Sequence, residues 1–204
     1  MLIFHNFKLF TSNRIILTLN DFTFDKDSFS YIQGHNSTGK SLLLKSIVCD
    51  YQNFKGNIYF NKQKISNFQD NIILINHDLP VIKSKTFLEN IQLSIGKLEK
   101  SHKTTLTEMA SILGLIEILN QKMEYSSRSE RMFMYLLRAA IISPKVLMID
   151  DLDDFFDFEN FTKVYDILLL CIKNGSLVLC TGKSDIENTS SLIIKNGELF
   201  RNEL

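Results

Sequence analysis

Apolar and polar residues alternate through the first part of the chain: Leu2, Phe4, then Phe7, Leu9, then Ile15, Leu17, Leu19, then Phe22 and Phe24. A two-residue period sends neighbouring side chains to opposite faces of an extended backbone, so this pattern predicts short strands. Polar breaks at Thr11-Ser12-Asn13 and Asp25-Lys26-Asp27 divide it into a small antiparallel layer that leads into Phe29-Ser30-Tyr31-Ile32. Gly56-Asn57-Ile58-Tyr59-Phe60-Asn61 has the same character and is expected in that layer. Residues 71–76, 145–150 and 176–181 differ, being continuous apolar runs of strand length. Such runs fit strands buried on both faces of a parallel sheet.

Between these runs the period lengthens to that of a helix. Residues 86–95 and 105–119 are both expected to be helical. Thr105-x-x-Glu108 has the form of a capping box, Leu106, Met109, Ala110 and Leu113 make one apolar face, and Gly114 is a stop. A third helix is expected over 129–142, with Met132, Leu136, Ala139 and Ala140 on one side and its end set by Pro144. Residues 160–173 form a further amphipathic helix with Phe161, Val164, Tyr165 and Leu168 inward, and residues 190–200 a closing hairpin turned at Asn196-Gly197. The order predicts an α/β fold with a mainly parallel core sheet, an N-terminal antiparallel β layer and an inserted helical subdomain at about residues 85–143. A chain of 204 residues fits one domain.

Charge changes the picture only by exclusion. Twenty-three basic residues balance 23 acidic ones, so nothing points to nucleic acid or to an anionic membrane surface. Cys49, Cys171 and Cys180 lack metal-binding spacing and fit small buried residues of a reducing compartment. The start Met1-Leu2-Ile3-Phe4-His5 has no signal-peptide pattern, and no apolar run approaches a bilayer span. The expectation is a cytoplasmic chain, soluble by itself, that meets a membrane only through a partner. The four histidines are scattered, and none is assigned to haem or metal.

The chemistry sits in Gly34-His35-Asn36-Ser37-Thr38-Gly39-Lys40-Ser41, which fills every fixed position of the phosphate-binding loop G-x-x-x-x-G-K-[ST]. Gly34 and Gly39 are expected to take backbone conformations closed to residues with a Cβ, letting successive amides turn inward around phosphate oxygens. Lys40 is placed to reach the β- and γ-phosphates, and the Ser41 hydroxyl to ligate Mg²⁺. Leu42-Leu43-Leu44-Lys45-Ser46-Ile47 follows as a helix whose N-terminus favours anions. The second element is Val146-Leu147-Met148-Ile149-Asp150, an apolar strand ending in an acid that helps hold Mg²⁺ beside such loops. Asp153 and Asp154, just beyond, are expected in a solvated loop.

The order of these pieces resembles the ATP-binding subunit of ABC transporters over nearly the whole chain. Tyr125-Ser126-Ser127-Arg128-Ser129-Glu130-Arg131 stands where that family has its L-S-G-G-Q signature, and the run from Arg138 to Asp151 follows the family's passage from signature helix to acidic strand. Phe156-Asp157 matches the loop after the acid, and Ile194-Lys195-Asn196-Gly197-Glu198-Leu199 the closing hairpin. The resemblance implies Phe10 near the adenine, Ser126 facing nucleotide on an opposite protomer, and Asp151 beside Lys40 as a group acting on the reaction. It puts Asp78, or His77 if the alignment slips by one, at the Q-loop, adding Asp78 to Ser41 and Asp150 around the metal. ATP and Mg²⁺ follow as ligands, with a dimer of ATP-binding subunits and a membrane permease as partners. Ile75-Asn76-His77-Asp78, Ile82-Lys83 and Thr86-Phe87-Leu88-Glu89-Asn90 further resemble the subunit that serves the cytochrome c maturation haem exporter.

The departures fall on the reacting positions. Ser127 and Arg128 replace both signature glycines, Asp151 stands for glutamate, and Gly182 occupies the place of the switch histidine. The expectation is ATP·Mg²⁺ binding with slow turnover. A cell-division or lipoprotein-release ATPase and a nucleotide-binding scaffold without turnover stay open within this reading. A GTPase or small-molecule kinase is the other class, because Lys183-Ser184-Asp185 partly matches N-K-x-D.

Overall fold

The alternating N-terminal pattern forms β1 (Leu2–Thr11), β2 (Arg14–Leu19) and β3 (Phe22–Phe24), with β1 pairing antiparallel to both of the others. The computed structural model describes residues 1–67, 71–78, 80–154, 158–184 and 191–201. β4 (Phe29–Gln33) runs into the phosphate loop and α1 (Lys40–Ile47), followed by β5 (Phe54–Phe60), β6 (Gln63–Lys64) and β7 (Ile72–Ile75). The helical insert holds α2 (Phe87–Ile95), α3 (Lys100–Ile112) and α4 (Arg128–Ile142). β8 (Val146–Ile149), α5 (Phe158–Lys173), β9 (Leu177–Gly182) and the hairpin β10 (Ser191–Lys195) and β11 (Glu198–Arg201) complete the order.

Among the described residues the strands make one sheet in the order β6-β5-β1-β2-β11-β10-β4-β9-β8-β7, with β3 beside β1. The half from β10 to β7 is parallel and carries the site, whereas β5, β1 and β2 are antiparallel neighbours. The continuous apolar runs are explained by two cores, one on each face. Val146, Met148, Leu177 and Leu179 pack with Leu43, Leu44 and Ile47 of α1 and the apolar side of β1. Leu147, Ile149, Val178 and Cys180 face the opposite core, with α4, α5 and the insert. Alternate residues of one strand thus enter different cores, and no position is left for a polar face.

The insert departs from expectation at one helix. α3 begins at Lys100, so Thr105 and Glu108 lie inside it and form no capping box. The apolar face starts only at Leu106, which hid a polar first turn from periodicity. Leu106, Met109, Ala110 and Leu113 are buried as expected, and Gly114, at φ 69°, ends the helix; Ile116–Ile118 is a separate 3-10 turn. The capping boxes lie elsewhere. Thr86 and Glu89 make one at α2, with the Glu89 amide donating to Thr86 Oγ1 at 3.1 Å and the Thr86 amide to Glu89 Oε2 at 2.8 Å. Ser127 and Glu130 make the other at α4. That helix is buried almost all round, Met132 through Leu137 included, because α2, α3, α5 and β7 all pack on it. In α5, Val164 and Leu168 are fully buried while Phe161 and Tyr165 are half-buried.

Candidate nucleotide site

The phosphate loop leaves the C-terminal end of β4 and closes at Gly39, the N-cap of α1, with φ 96°. A Cβ there would meet Ile16 Cδ1 at 3.1 Å and Leu9 Cδ2 at 3.3 Å, so the conformation favours glycine and the space beside it is tight. Gly34 differs from expectation. It is not among the left-handed residues, and a Cβ would meet only the Thr38 hydroxyl closely, at 2.8 Å. That hydroxyl donates to the His35 carbonyl at 2.9 Å and tightens the loop.

Lys40 is 4 % exposed, and its Nζ donates to the carbonyls of Gly34 at 2.6 Å and His35 at 3.1 Å. Burial lowers its pKa below the ordinary lysine value, Asp151, Asp150 and Asp153 oppose that, and Lys183 adds to it. A cavity of about 550 Å³ opens beside it, lined by residues 36–42 and Asp151, with Thr11, Arg14 and Ile16 across from the loop. Asn36, Ser37, Thr38, Gly39, Lys40 and Ser41 therefore meet in one place, whereas Gly34 and His35 support it from behind. Phe10 is not part of this lining. Its ring lies under Lys55 Nζ, 5.7 Å from the centroid, and the side chains nearest the loop from the antiparallel layer are Thr11, Arg14 and Ile16.

Both acids are set by the neighbouring strand. Asp150 is 5 % exposed, and its Oδ1 accepts from the Thr181 hydroxyl at 2.8 Å. The same hydroxyl accepts from the Asp151 amide at 2.9 Å. Asp151 takes a left-handed backbone, φ 50°, which turns its side chain into the cavity wall. Thr181 escaped the sequence reading. Its signal was a hydroxyl at the end of an otherwise apolar buried strand.

The end of β9 is filled. A Cβ on Gly182 would overlap Tyr31 Oη and Asp153 Oδ1, so no side chain fits where a switch histidine would project. Asp153 is not the solvated residue expected from sequence: it is half-buried, and its Oδ2 accepts from the amides of Lys183 and Ser184, each at 2.8 Å. Burial opposes ionisation of this carboxyl, but the two amides prevail and hold its pKa below the ordinary value. The Tyr31 hydroxyl donates to the Ser184 carbonyl at 3.0 Å.

The remaining positions lie outside the cavity. Asp78 is exposed; its carboxylate pairs with Lys45 at 3.6 Å and its amide donates to Asn76 Oδ1 at 3.0 Å. It does not line the cavity that holds Ser41. His77 instead contacts the Arg128 guanidinium, joining the Q-loop segment to the start of α4. Ser126 donates to the Met123 carbonyl at 2.6 Å and accepts from Arg131 Nε at 3.0 Å, on the rim of the insert. Phe156, Asp157 and Asp185 fall outside the described residues. No helix among the described residues is long and apolar enough to cross a membrane.

A family model described as ABC transporter matches residues 17–153. The chain is 25% identical over 190 residues to a cell division ATP-binding protein of Streptococcus pneumoniae, covering 86% of this chain and 83% of that one. It is 25% identical over 196 residues to a cytochrome c biogenesis ATP-binding export protein of Rickettsia felis, covering 96% of this chain and 99% of that one. Its fold superposes with a TM-score of 0.79 on a dimeric ATP-binding cassette in a post-hydrolysis state with ADP and phosphate, at 20% identity, over 100% of this chain and 98% of that one.

Proposed function

The chain belongs to the ABC transporter family of ATPases, and from that premise we propose that it is the ATP-binding subunit of a haem exporter for cytochrome c biogenesis, docked on a separate membrane permease. The observation that carries the nucleotide chemistry is the cavity in which residues 36–41 curl around buried Lys40 and face Asp151. Loop amides at the start of α1 bind phosphate oxygens, and Lys40 gives its carbonyl contacts to the β- and γ-phosphates. Ser41 and Asp150 offer hard oxygen donors of the kind Mg²⁺ prefers, and Asp150 is held in place by Thr181. Mg²⁺, when bound, neutralises charge on the phosphate oxygens. Asp151 orients the attacking water and accepts its proton.

Turnover is slow in this reading. Asp151 is one methylene shorter than glutamate, and a displacement of about 1 Å can lower a rate on the order of a hundredfold. Gly182 contributes no side chain, and Arg128 stands where close backbone approach needs glycine. Two chains enclose ATP at their boundary, with Ser126 and Arg128 turned to the partner's nucleotide; the dimeric cassette of the same fold supports this arrangement. The near end-to-end match to the Rickettsia felis protein supports the export reading. A cell-division role is the second reading, favoured by the equally identical Streptococcus pneumoniae protein.

The test is nucleotide binding and hydrolysis by the purified chain, alone and with its permease. Expected are ATP·Mg²⁺ binding and a low basal rate that Asp151→Asn removes. A rate typical of an intact transporter ATPase overturns slow turnover. Failure to bind ATP overturns the whole reading, and binding with no hydrolysis even beside the permease leaves a scaffold in its place.

A further inference from the structure

The register of the β1–β2 hairpin decides which of its side chains face the phosphate loop. Leu9 pairs with Leu17, Phe10 with Ile15 and Thr11 with Arg14. Directly opposed residues of an antiparallel pair share a face, and successive residues alternate. Leu9 lies against Gly39, so Thr11 and Arg14 fall on the side of the loop, and Phe10 and Ile15 on the other. The register shift at Leu9/Phe10 leaves Ile16 as the extra residue of β2, and its Cδ1 also reaches Gly39. Thr11, Arg14 and Ile16 accordingly line the cavity, while the Phe10 ring lies under Lys55. The hairpin is held from behind. The Phe10 amide donates to the Asn53 carbonyl at 3.0 Å, the Tyr51 hydroxyl to the Phe10 carbonyl at 2.5 Å, and Asn53 Nδ2 to the carbonyls of Phe10 and Ser12, each at 3.3 Å. Arg14 follows this anchored turn, is exposed, and has no hydrogen bond or ion pair among the described residues.

We infer that Arg14 is the platform on which the base of bound ATP stacks, its planar guanidinium lying on the adenine face where an aromatic ring was expected. The order of groups along the cavity supports this. Phosphates belong to the loop amides and Lys40, and Ile16 meets that loop at Gly39. Arg14 stands two residues along β2 from Ile16, roughly 7 Å at strand spacing, so it lies farther out along the wall opposite the loop. Ribose and base extend from the phosphates toward that wall. Of the three residues there, Thr11 is small and Ile16 has no flat surface, whereas a guanidinium stacks on aromatic faces and carries a cation–π attraction. The anchored hairpin presents this side chain without having to order on binding.

This inference rests on the ATP-binding reading, and the experiment separates the two. Affinities for a non-hydrolysable ATP analogue and for ADP, both with Mg²⁺, are measured by calorimetry for the wild type, Arg14→Ala, Arg14→Lys and Arg14→Tyr. Expected is a loss of about tenfold for Arg14→Ala, equal for the two nucleotides because they share the base, with the apo melting temperature unchanged. Arg14→Lys keeps the charge without the plane and falls with alanine. Arg14→Tyr keeps a flat surface without the charge and retains most of the affinity. No loss for Arg14→Ala overturns the assignment. So does the reverse order, with lysine retaining affinity and tyrosine losing it, which would place the guanidinium on phosphate instead. A wild type that binds neither nucleotide overturns the ATP-binding reading itself.

Discussion

Thr181 donates its hydroxyl to Asp150 Oδ1 across 2.8 Å and accepts from the Asp151 amide with the same oxygen at 2.9 Å. One buried hydroxyl on β9 therefore sets both acids at the end of β8. Thr181→Val keeps the shape and removes both bonds, leaving a part-buried amide and a buried carboxylate oxygen short of a partner. Removal of such a group costs about 1–3 kcal/mol. Denaturant unfolding is expected to show that loss, and ATP hydrolysis to fall through kcat more than through KM. Thr181→Ser, which restores the hydroxyl, recovers turnover. A valine variant with full activity would show that the acids hold their places without this bond.

Restoring the family's histidine is expected to harm the protein. Gly182→His drives a Cβ into Tyr31 Oη, which is bonded to the Ser184 carbonyl, and into Asp153 Oδ1, whose carboxylate is held through its other oxygen by the amides of Lys183 and Ser184. Overpacking of this kind costs typically about 1–3 kcal/mol. The expected result is a lower melting temperature and no gain in ATPase rate. Adding Tyr31→Phe to Gly182→His removes the nearer oxygen and is expected to return part of the lost stability. A single variant as stable as the wild type would mean that this corner yields easily.

The phosphate loop and the acidic strand were legible because each compresses its chemistry into adjacent residues. Strands buried on both faces, such as residues 146–149, were legible for the same reason: burial leaves no polar position to confuse the pattern. Thr181, Asp153 and Tyr31 were not legible, since their roles arise from β9 lying between β4 and β8, a pairing no local pattern encodes. The start of α3 was missed because Lys100, Ser101 and Lys103 carry no apolar periodicity, and the box-like Thr105 and Glu108 drew attention inward. Phe10 was placed by family likeness alone, and the fold turns its ring toward Lys55.

Asp153 predicts a pH dependence. Its folded-state pKa is lowered, so its contribution to stability is present above the ordinary aspartate value and is lost as pH falls through the lower folded value. Unfolding midpoints at pH 7 and near pH 3 should therefore differ more for the wild type than for Asp153→Asn. The variant is expected to be the less stable of the two at pH 7 and to approach the wild type in acid. Parallel curves would show that the amides of Lys183 and Ser184 do not depend on this charge.

The two glycines of the phosphate loop are predicted to respond differently to the same substitution. Gly39 sits at φ 96° with Ile16 and Leu9 against any added Cβ, so alanine meets strain from the backbone and from the core together. Left-handed strain for a residue with a Cβ is about 1–3 kcal/mol. Gly34 lacks that conformation, and an added methyl meets mainly the Thr38 hydroxyl, the end of a side chain that can rotate. Gly39→Ala is expected to lower the apo melting temperature and to abolish the upward shift that ATP·Mg²⁺ produces, because the amide at the head of α1 is displaced. Gly34→Ala is expected to keep the apo melting temperature within a degree or two, since a change below about 0.5 kcal/mol moves the midpoint little. It weakens ATP only as far as the Thr38 hydroxyl leaves the His35 carbonyl. Thermal unfolding of both variants with and without nucleotide tests the pair, and equal losses would show that the loop tolerates no Cβ at either end.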